Sequence, residues 1–288
     1  METSKKILVT GITGQQGSAV ACHLSNKGVQ IFGLTRNANS EKAKALADKN
    51  ITVLEGDLND PSSYEAHLNG MDAVFCVQAF EQGKESEIKQ GKQFIDHIKS
   101  KGVGHLVYSS VLGADLNTGV PHFESKYVLE NHIKSSDLNY TILRPASFNE
   151  NFLNPEITKR LDKGKLVMPL HKTVTQQYIS TDDVGNIAAK VLLQPEKYKG
   201  KTLSIATDQK QLTEVAQLFG EAMKRDMKYQ KLPGFVTRLL MGKDLSKMFN
   251  YMNKNDFVVV KDIDALKQEF EGLGDLKQWI DTNFKSEN

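Results

Sequence analysis

The chain has 288 residues, and its 37 Lys and Arg nearly balance its 35 Asp and Glu, which leaves a formal net charge of +2. Its hydrophobic fraction of 39% and charged fraction of 25% exclude an intrinsically disordered chain. The length allows one large domain or two small ones. Two cysteines, Cys22 and Cys76, exclude a disulfide framework and a cysteine-based zinc site, and no apolar run is long enough for a membrane span. We therefore expect a soluble, cytoplasmic protein without a bound metal.

Short apolar runs alternate with longer amphipathic stretches through the first half of the chain, which is typical of repeated strand–helix units. The predicted strands cover residues 6–10, 29–35, 51–55, 72–77, 105–109 and 140–143. The predicted helices cover residues 19–27, 41–49, 61–68 and 86–101. This alternation predicts a doubly wound α/β fold, a parallel sheet with helices on both faces.

The second half of the chain is less regular. It predicts a helix over 184–193 capped by Thr181 or Asp182, a strand over 202–206 and a helix over 213–224. Between residues 224 and 261, nine basic residues outnumber three acidic ones. We expect a solvated helical face with a lysine fringe there, and the alternative is a site for an anionic partner.

The motif Gly11-Ile-Thr-Gly14-Gln-Gln-Gly17 lies between a predicted strand and a predicted helix. In that position, glycines let the backbone turn sharply, so that the N–H groups of the helix N-terminus can hold a pyrophosphate. The spacing differs from the commoner G-x-G-x-x-G, and the alternative is a glycine-rich turn without a ligand. The motif predicts a dinucleotide site.

The end of the second predicted strand indicates which dinucleotide is bound. A fold that prefers NAD carries Asp or Glu about 20 residues past the glycines, where it binds the ribose 2′-hydroxyl. Here Arg36 stands nineteen residues after Gly17, with Thr35 and Asn37 beside it as further donors. A guanidinium there would pair with the 2′-phosphate of NADP, although it is also compatible with plain surface charge. Asp57, after the third strand, is placed to bind the adenine amino group or to cap its own turn.

These residues and several later ones resemble the NmrA-like family of atypical short-chain dehydrogenase/reductase folds. The resemblance runs from Lys6 to about Trp279, and its most specific segments are GITGQQG (11–17), LTRN (34–37), EGDLND (55–60), HFESK (122–126), RPASFNENFL (144–153) and YISTDDVG (178–185). Within that family, the chain is most similar to the NADPH redox-sensor proteins.

The resemblance implies a Rossmann fold, a smaller C-terminal mixed α/β subdomain and bound NADP(H). The residues that it places around the adenine half and the pyrophosphate are Gly11, Thr13, Gly14, Gln16, Gly17, Arg36, Asp57 and Leu58. Those that it places over the nicotinamide half are Gln78, Ala79, Phe80, Lys89, Lys126, Phe148, Asn149, Glu150 and Asn151.

The candidate catalytic residues are Lys126 and His122. Short-chain reductases usually place a Tyr four residues before a Lys, and the Lys lowers the pKa of the phenol that protonates the substrate carbonyl. Here His122 takes the place of the Tyr, and Ser109 or Ser110 follows the fifth strand. A histidine can donate a proton near neutral pH, and the alternative is a loop histidine that lines the cleft. The resemblance implies that a His at this position is compatible with cofactor binding and little turnover.

We therefore predict a Rossmann domain over residues 1–150 and a smaller subdomain over residues 151–288, with a ligand cleft at the carboxyl ends of the strands. The predicted function is that of an NADP(H)-binding redox sensor or regulator with weak or no turnover, acting through a protein partner or a homodimer. The alternative is an NAD(P)H-dependent reductase of a small carbonyl or quinone substrate. We expect no membrane partner and no direct contact with nucleic acid, because no basic helix with interleaved aromatic residues is present.

Overall fold

The computed structural model describes residues 4–47, 49–80 and 83–285 of the chain. The strands are β1 (Lys6–Thr10), β2 (Gln30–Thr35), β3 (Ile51–Glu55), β4 (Ala73–Cys76), β5 (His105–Ser109), β6 (Tyr140–Pro145), β7 (Ser147–Phe148), β8 (Lys165–Met168), β9 (Thr175–Ile179), β10 (Lys201–Ile205), β11 (Asp208–Gln211) and β12 (Lys228–Lys231). The helices are α1 (Gln15–Leu24), α2 (Glu41–Ala47), α3 (Pro61–Tyr64), α4 (Lys84–Ser100), α5 (Pro121–Lys134), α6 (Pro155–Leu161), α7 (Thr181–Leu193), α8 (Pro195–Tyr198), α9 (Leu212–Met223), α10 (Gly234–Met252), α11 (Ile263–Glu269) and α12 (Leu276–Phe284). Two 3₁₀ turns cover Glu65–Leu68 and Asn149–Leu153.

The central sheet is parallel and has the strand order β10-β6-β5-β4-β1-β2-β3. From β1 the chain runs outward through β2 and β3, then crosses to β4 and runs outward on the other side. This reversal between β1 and β4 is the switch point of a Rossmann sheet, where the carboxyl ends of the strands leave a crevice for a ligand. The predicted fold class is confirmed.

Helices cover both faces of the sheet. Ile7 and Val9 of β1 belong to the apolar cluster that includes residues of α1 and α7, whereas Leu8 belongs to the cluster that includes residues of α4 and α5. All three side chains are fully buried. A strand buried on both faces has a continuous apolar sequence, and this is why the run KILVT correctly predicted β1.

Two elements beyond residue 150 belong to the Rossmann layers. β10 pairs with β6 at the edge of the sheet, and α7 packs against α1. The other C-terminal strands form two small sheets, β11-β9-β7 and β12-β8, beside a third apolar cluster around Tyr178 and Phe219. The chain thus crosses the predicted boundary to complete the sheet, and the division into residues 1–150 and 151–288 stays a prediction.

Two predictions about helix starts are wrong. α1 begins at Gln15 rather than at residue 19, because Gly17 lies inside its first turn. α7 is capped by Ser180, whose Oγ accepts from the backbone N–H of Asp183 at 2.9 Å, so Thr181 and Asp182 lie within the helix. No described helix is long and apolar enough to cross a membrane.

Candidate functional site

The glycine-rich loop turns tightly between β1 and α1. Gly11 has φ +58°, a backbone conformation that residues other than glycine rarely adopt. Its carbonyl accepts a hydrogen bond from the N–H of Gly14 at 2.9 Å. A Cβ on Gly17 would lie 2.3 Å from the same carbonyl oxygen, so this close approach of helix and loop requires glycine. Gly14 is the N-cap of α1, and no side chain within the described ranges caps that terminus. An anion placed there would be stabilised by the first N–H groups of the helix.

A cavity of about 260 Å³, which we term the loop cavity, opens beside this loop at the carboxyl ends of β1, β2, β3 and β4. The predicted cofactor residues that line it are Gly11, Thr13, Gly14, Arg36, Asp57, Leu58, Gln78 and Ala79. Residues from four separate segments of the sequence therefore meet where the Rossmann switch point places a dinucleotide.

Arg36 and Asp57 stand at the two ends of the predicted adenosine site. Arg36 is exposed where it lines the loop cavity. Asp57 Oδ1 accepts from the backbone N–H of Asn59 at 2.9 Å and from Asn59 Nδ2 at 3.0 Å, so Asp57 closes its own turn while it faces the cavity. A carboxylate has lone pairs for both tasks, and the two interpretations of Asp57 are compatible.

A larger cavity of about 810 Å³, which we term the apolar cavity, adjoins the loop cavity, since Val77 and Gln78 line both. Most of its wall is aromatic or aliphatic and includes Phe123, Phe148, Phe152, Met168, Tyr178, Met248, Phe249, Met252 and Phe257. The polar side chains that reach it include Gln16, Ser109, His122 and Lys126. A few polar groups in a large apolar cavity are typical of small-molecule sites.

A buried ion pair joins the two cavities. Lys126 lines the apolar cavity, Glu87 lines the loop cavity, and Lys126 Nζ lies 2.8 Å from Glu87 Oε1. Their side chains are 4% and 1% exposed. Ser125 Oγ donates to the other carboxylate oxygen of Glu87, and the Lys126 ammonium lies 5.3 Å from the centre of the Tyr108 ring. These contacts fix a positive charge at the junction of the cavities.

His122 lies one helical turn before Lys126, and its ring packs edge-on against that of Phe80, with 5.1 Å between ring centres. Burial and, second, the nearby Lys126 ammonium lower the pKa of His122 to about 4, against an opposing effect of Glu87. His122 is therefore neutral at physiological pH and does not carry the imidazolium proton that a general acid would donate. His122 lies in α5 rather than in a loop and lines the apolar cavity, and its catalytic role stays a prediction.

The two serines after β5 have different partners. Ser109 Oγ donates to Gln16 Oε1 at 2.6 Å, at the wall of the apolar cavity. Ser110 Oγ donates to Glu130 Oε1, also at 2.6 Å, and Glu130 forms a two-point ion pair with Arg144. Burial opposes the charge of Arg144, but the pairing with Glu130 raises the pKa of Arg144 above its ordinary value. Both serines line the apolar cavity, but the hydroxyl proton of Ser110 is committed to the buried Glu130–Arg144 pair, whereas Ser109 bonds to Gln16 of the cavity wall.

The sequence matches the NmrA-like family over residues 3–280. The chain belongs to the NmrA-like family. Three solved structures that are similar to this chain differ in what they do.

The first of these structures is triphenylmethane reductase of Citrobacter sp. complexed with NADP(H), with 22% identity, a TM-score of 0.83 and coverage of 97% of this chain and 99% of that one. The second is the NADPH-dependent quinone oxidoreductase of Escherichia coli complexed with NADPH, with 24% identity, a TM-score of 0.82 and coverage of 97% and 100%. The third is NmrA, a negative transcriptional regulator, in complex with NADP, with 19% identity, a TM-score of 0.80 and coverage of 98% and 96%. The fold therefore serves both reductases and a regulator.

Several predicted site residues of this NmrA-like chain lie elsewhere. Lys89 is exposed on α4 and lines neither cavity, and Asn37 Oδ1 accepts from the N–H of Asn39 at 2.9 Å. Both oxygens of Glu150 accept from the N–H of Thr181 at the start of α7. The predicted residues that do line the apolar cavity are Gln16, Gln78, His122, Lys126, Phe148 and Asn151. Gly17 lies buried beneath the loop, and Asn149 is 1% exposed.

Sequence reasoning missed Glu87, which is 3% exposed and holds Lys126. Nothing in the segment KESEIKQGKQ distinguishes a buried glutamate from the charged residues around it. The sequence predicted a helical face between residues 224 and 261, but not that the methionines and Phe249 of α10 line the apolar cavity. Among the described residues, no group of three or more His, Cys, Asp or Glu could hold a metal ion.

Proposed function

We propose that this NmrA-like protein binds NADP(H) and reduces a lipophilic acceptor of the quinone or carbonyl class. The observation that carries the proposal is the pair of adjoining cavities, one lined by the glycine loop and the other large and apolar, with a buried lysine at their junction. A regulator that only senses the cofactor needs the first cavity, whereas a reductase needs both.

The residues of the loop cavity fit NADP(H). The first turn of α1 would hold the pyrophosphate, Arg36 the 2′-phosphate and Asp57 the adenine amino group. Gln78 Oε1 is buried without a hydrogen-bond partner among the described residues, as expected of an acceptor that a ligand satisfies. The NADP(H), NADPH and NADP in the three solved structures support this choice.

When it is bound, NADPH supplies a hydride. The acceptor then gains two electrons and a negative charge on oxygen, and a proton must follow to give the hydroquinone or alcohol. Lys126 provides a fixed positive charge where that oxygen would lie, in a cavity whose apolar wall excludes water and so strengthens the interaction. Because His122 is neutral, it does not supply this proton as an imidazolium, and the Lys126 ammonium holds the anionic oxygen until a proton arrives from solvent.

The second candidate is the redox sensor that the sequence favoured, with weak or no turnover. The specific observation in its favour is the lack of a usual acid: the position four residues before Lys126 holds a neutral histidine, and Ser110 is engaged by Glu130. Under this alternative the apolar cavity would hold a ligand without reaction.

The test combines calorimetry of NADPH binding with NADPH oxidation over a panel of naphthoquinones, benzoquinones and aldehydes. The reductase predicts enzyme-like turnover, greatest for bulky apolar acceptors, and a loss of turnover in Lys126→Ala that exceeds the loss of affinity for NADPH. Lys89→Ala is the matched control, because Lys89 is exposed outside both cavities. Tight NADPH binding without turnover on any acceptor would reject the reductase and leave the sensor.

A further inference from the structure

α10 exposes large apolar side chains to solvent. Phe235 is 77% exposed, Leu239 81% and Leu240 63%. Of the eight large hydrophobic residues that are exposed among the described residues, five lie between residues 235 and 245. Single exposed apolar residues are ordinary, but a contiguous group marks an interaction surface.

Exposed cations are interspersed with this apolar group along the chain. Lys231, Arg238, Lys243 and Lys247 are all exposed, and Asp244 is the acidic residue among them. Arg238 lies three residues after Phe235 and one before Leu239, so one helical turn presents both an apolar anchor and a cation. Four of the nine basic residues that the sequence showed between residues 224 and 261 therefore stand among or beside protruding apolar side chains.

The same helix leads into the apolar cavity. α10 is interrupted at Gly242, where φ is +81°, and this break turns the chain between its two helical halves. Leu240, Met241 and Leu245, on either side of the break, line the apolar cavity, and Met248 and Phe249 continue its wall. The exposed apolar patch is thus continuous with the wall of the proposed acceptor site.

We propose that residues 234–247 lie on an anionic lipid bilayer, with Phe235 and Leu239 inserted among the lipids and Arg238, Lys243 and Lys247 at the headgroups. Protruding apolar residues ringed by cations are what an interfacial helix uses to bind anionic membranes. The absence of a membrane span is compatible with this, because surface association requires none. The orientation places the mouth of the apolar cavity against the lipid, from which a lipophilic acceptor could enter, and this last step rests on the proposed function.

A second copy of the chain is a poorer occupant of the patch. Two copies that met through it would bring their Arg238, Lys243 and Lys247 together, and like charges oppose such a contact. An anionic bilayer buries the apolar side chains among its lipid tails and pairs the cations with its headgroups.

The test is co-sedimentation of the full chain with vesicles of phosphatidylcholine alone or of equal parts phosphatidylcholine and phosphatidylglycerol. We expect binding to the mixed vesicles that is at least about tenfold tighter than to the neutral ones and that weakens with salt. Phe235→Glu/Leu239→Glu should weaken it by at least about tenfold, because both apolar anchors are lost. Leu116→Glu, at an exposed leucine outside the segment, is the control and should bind as the wild type does.

The charges are tested separately. Arg238→Gln/Lys243→Gln/Lys247→Gln should weaken binding to mixed vesicles by about a hundredfold at low salt. The control removes three exposed cations elsewhere, as Lys27→Gln/Lys44→Gln/Lys92→Gln. Equal losses in test and control variants would overturn the proposal, and so would a lack of binding to mixed vesicles. Lipid-free dimers that Phe235→Glu/Leu239→Glu abolishes would assign the patch to a second copy instead and also overturn it.

NADPH oxidation with a short-chain, water-soluble quinone separates this inference from the proposed function. Phe235 and Leu239 line neither cavity, so their double variant should keep the wild-type rate. Vesicle binding without turnover by any variant would retain the lipid surface and reject the reductase. Turnover without vesicle binding would retain the reductase and reject the lipid surface.

Discussion

Breaking the buried ion pair between Glu87 and Lys126 should destabilise the fold as well as disturb the site. Its two charged atoms lie 2.8 Å apart, and the side chains are 1% and 4% exposed. Glu87→Gln would keep the shape of the side chain but leave the ammonium without its anion in surroundings that water barely reaches. Removing one partner of a buried pair costs about 3–5 kcal/mol, because the remaining charge is left uncompensated.

That cost is large against the total stability of a typical domain, which is about 5–15 kcal/mol. For a chain of this length we expect the melting temperature of Glu87→Gln to fall by on the order of 10 °C. The exposed pair Lys277–Asp281 is the matched control, with side chains 53% and 41% exposed. Asp281→Asn should cost less than about 1 kcal/mol.

Thermal unfolding followed by circular dichroism measures both variants, and a double-mutant cycle with Lys126→Met isolates the pair. The double variant Glu87→Gln/Lys126→Met should be more stable than the sum of the two single losses predicts, because neither uncompensated charge remains. Asp281→Asn should melt within about 2 °C of the wild type. If Glu87→Gln does so as well, the Glu87–Lys126 pair is not buried and the predicted destabilisation is wrong.

Three further predictions concern single positions. Arg36→Asp should raise the dissociation constant for NADPH about ten- to a hundredfold, because a charged hydrogen bond is lost, and should shift the preference toward NADH. Calorimetry with both cofactors checks this. Equal affinities of the wild type for NADPH and NADH would leave Arg36 as surface charge. Gly17→Ala should weaken NADPH binding sharply in the same assay while the far-ultraviolet spectrum is retained, because its Cβ would lie 2.3 Å from the Gly11 oxygen; wild-type affinity would contradict that close approach. Burial lowers the pKa of His105 to about 4, so the unfolded chain takes up a proton on this residue first, and stability is lost as the pH falls from about 6.5 toward 4. Between pH 7 and 5 the free energy of unfolding should fall by about 2 kcal/mol. Urea unfolding measures this loss, which should be absent in His105→Gln.

The strands of the Rossmann sheet could be predicted closely from the sequence. β1, β3 and β5 have the predicted bounds, since each is a short apolar run that ends in a glycine or polar segment. The start of α1 could not, because glycine has a low helix propensity and Gly17 is tolerated only where the loop must approach the helix closely. α5, which carries Lys126 and packs against α4, was not predicted at all.

The loop cavity was more predictable than the apolar cavity for a topological reason. In a parallel sheet, each strand delivers the residues after its carboxyl end to one edge, so Gly11, Arg36 and Asp57 meet there whatever the details of packing. No such rule predicts the wall of the apolar cavity, because that wall combines α5, the segment after β6 and α10, which are far apart in sequence. Each of these segments alone has the composition of ordinary core.

The same difference explains why the sequence favoured a sensor, whereas we propose a reductase. The cofactor half is specified by local motifs, and a chain with those motifs but without the usual tyrosine is most simply a protein that binds NADP(H) and does little else. The proposed acceptor site, the apolar cavity, forms only in the fold, where Phe148, Met168 and Met252 line the same cavity as Lys126. Enclosing about 810 Å³ with apolar side chains forgoes packing that would otherwise stabilise the chain, and a ligand that fills the cavity restores it. A sensor that binds NADP(H) alone does not use this cavity, whereas a reductase must hold a lipophilic acceptor beside the cofactor. A sensor that binds a second ligand would also fill the cavity, and turnover on apolar acceptors separates it from the reductase.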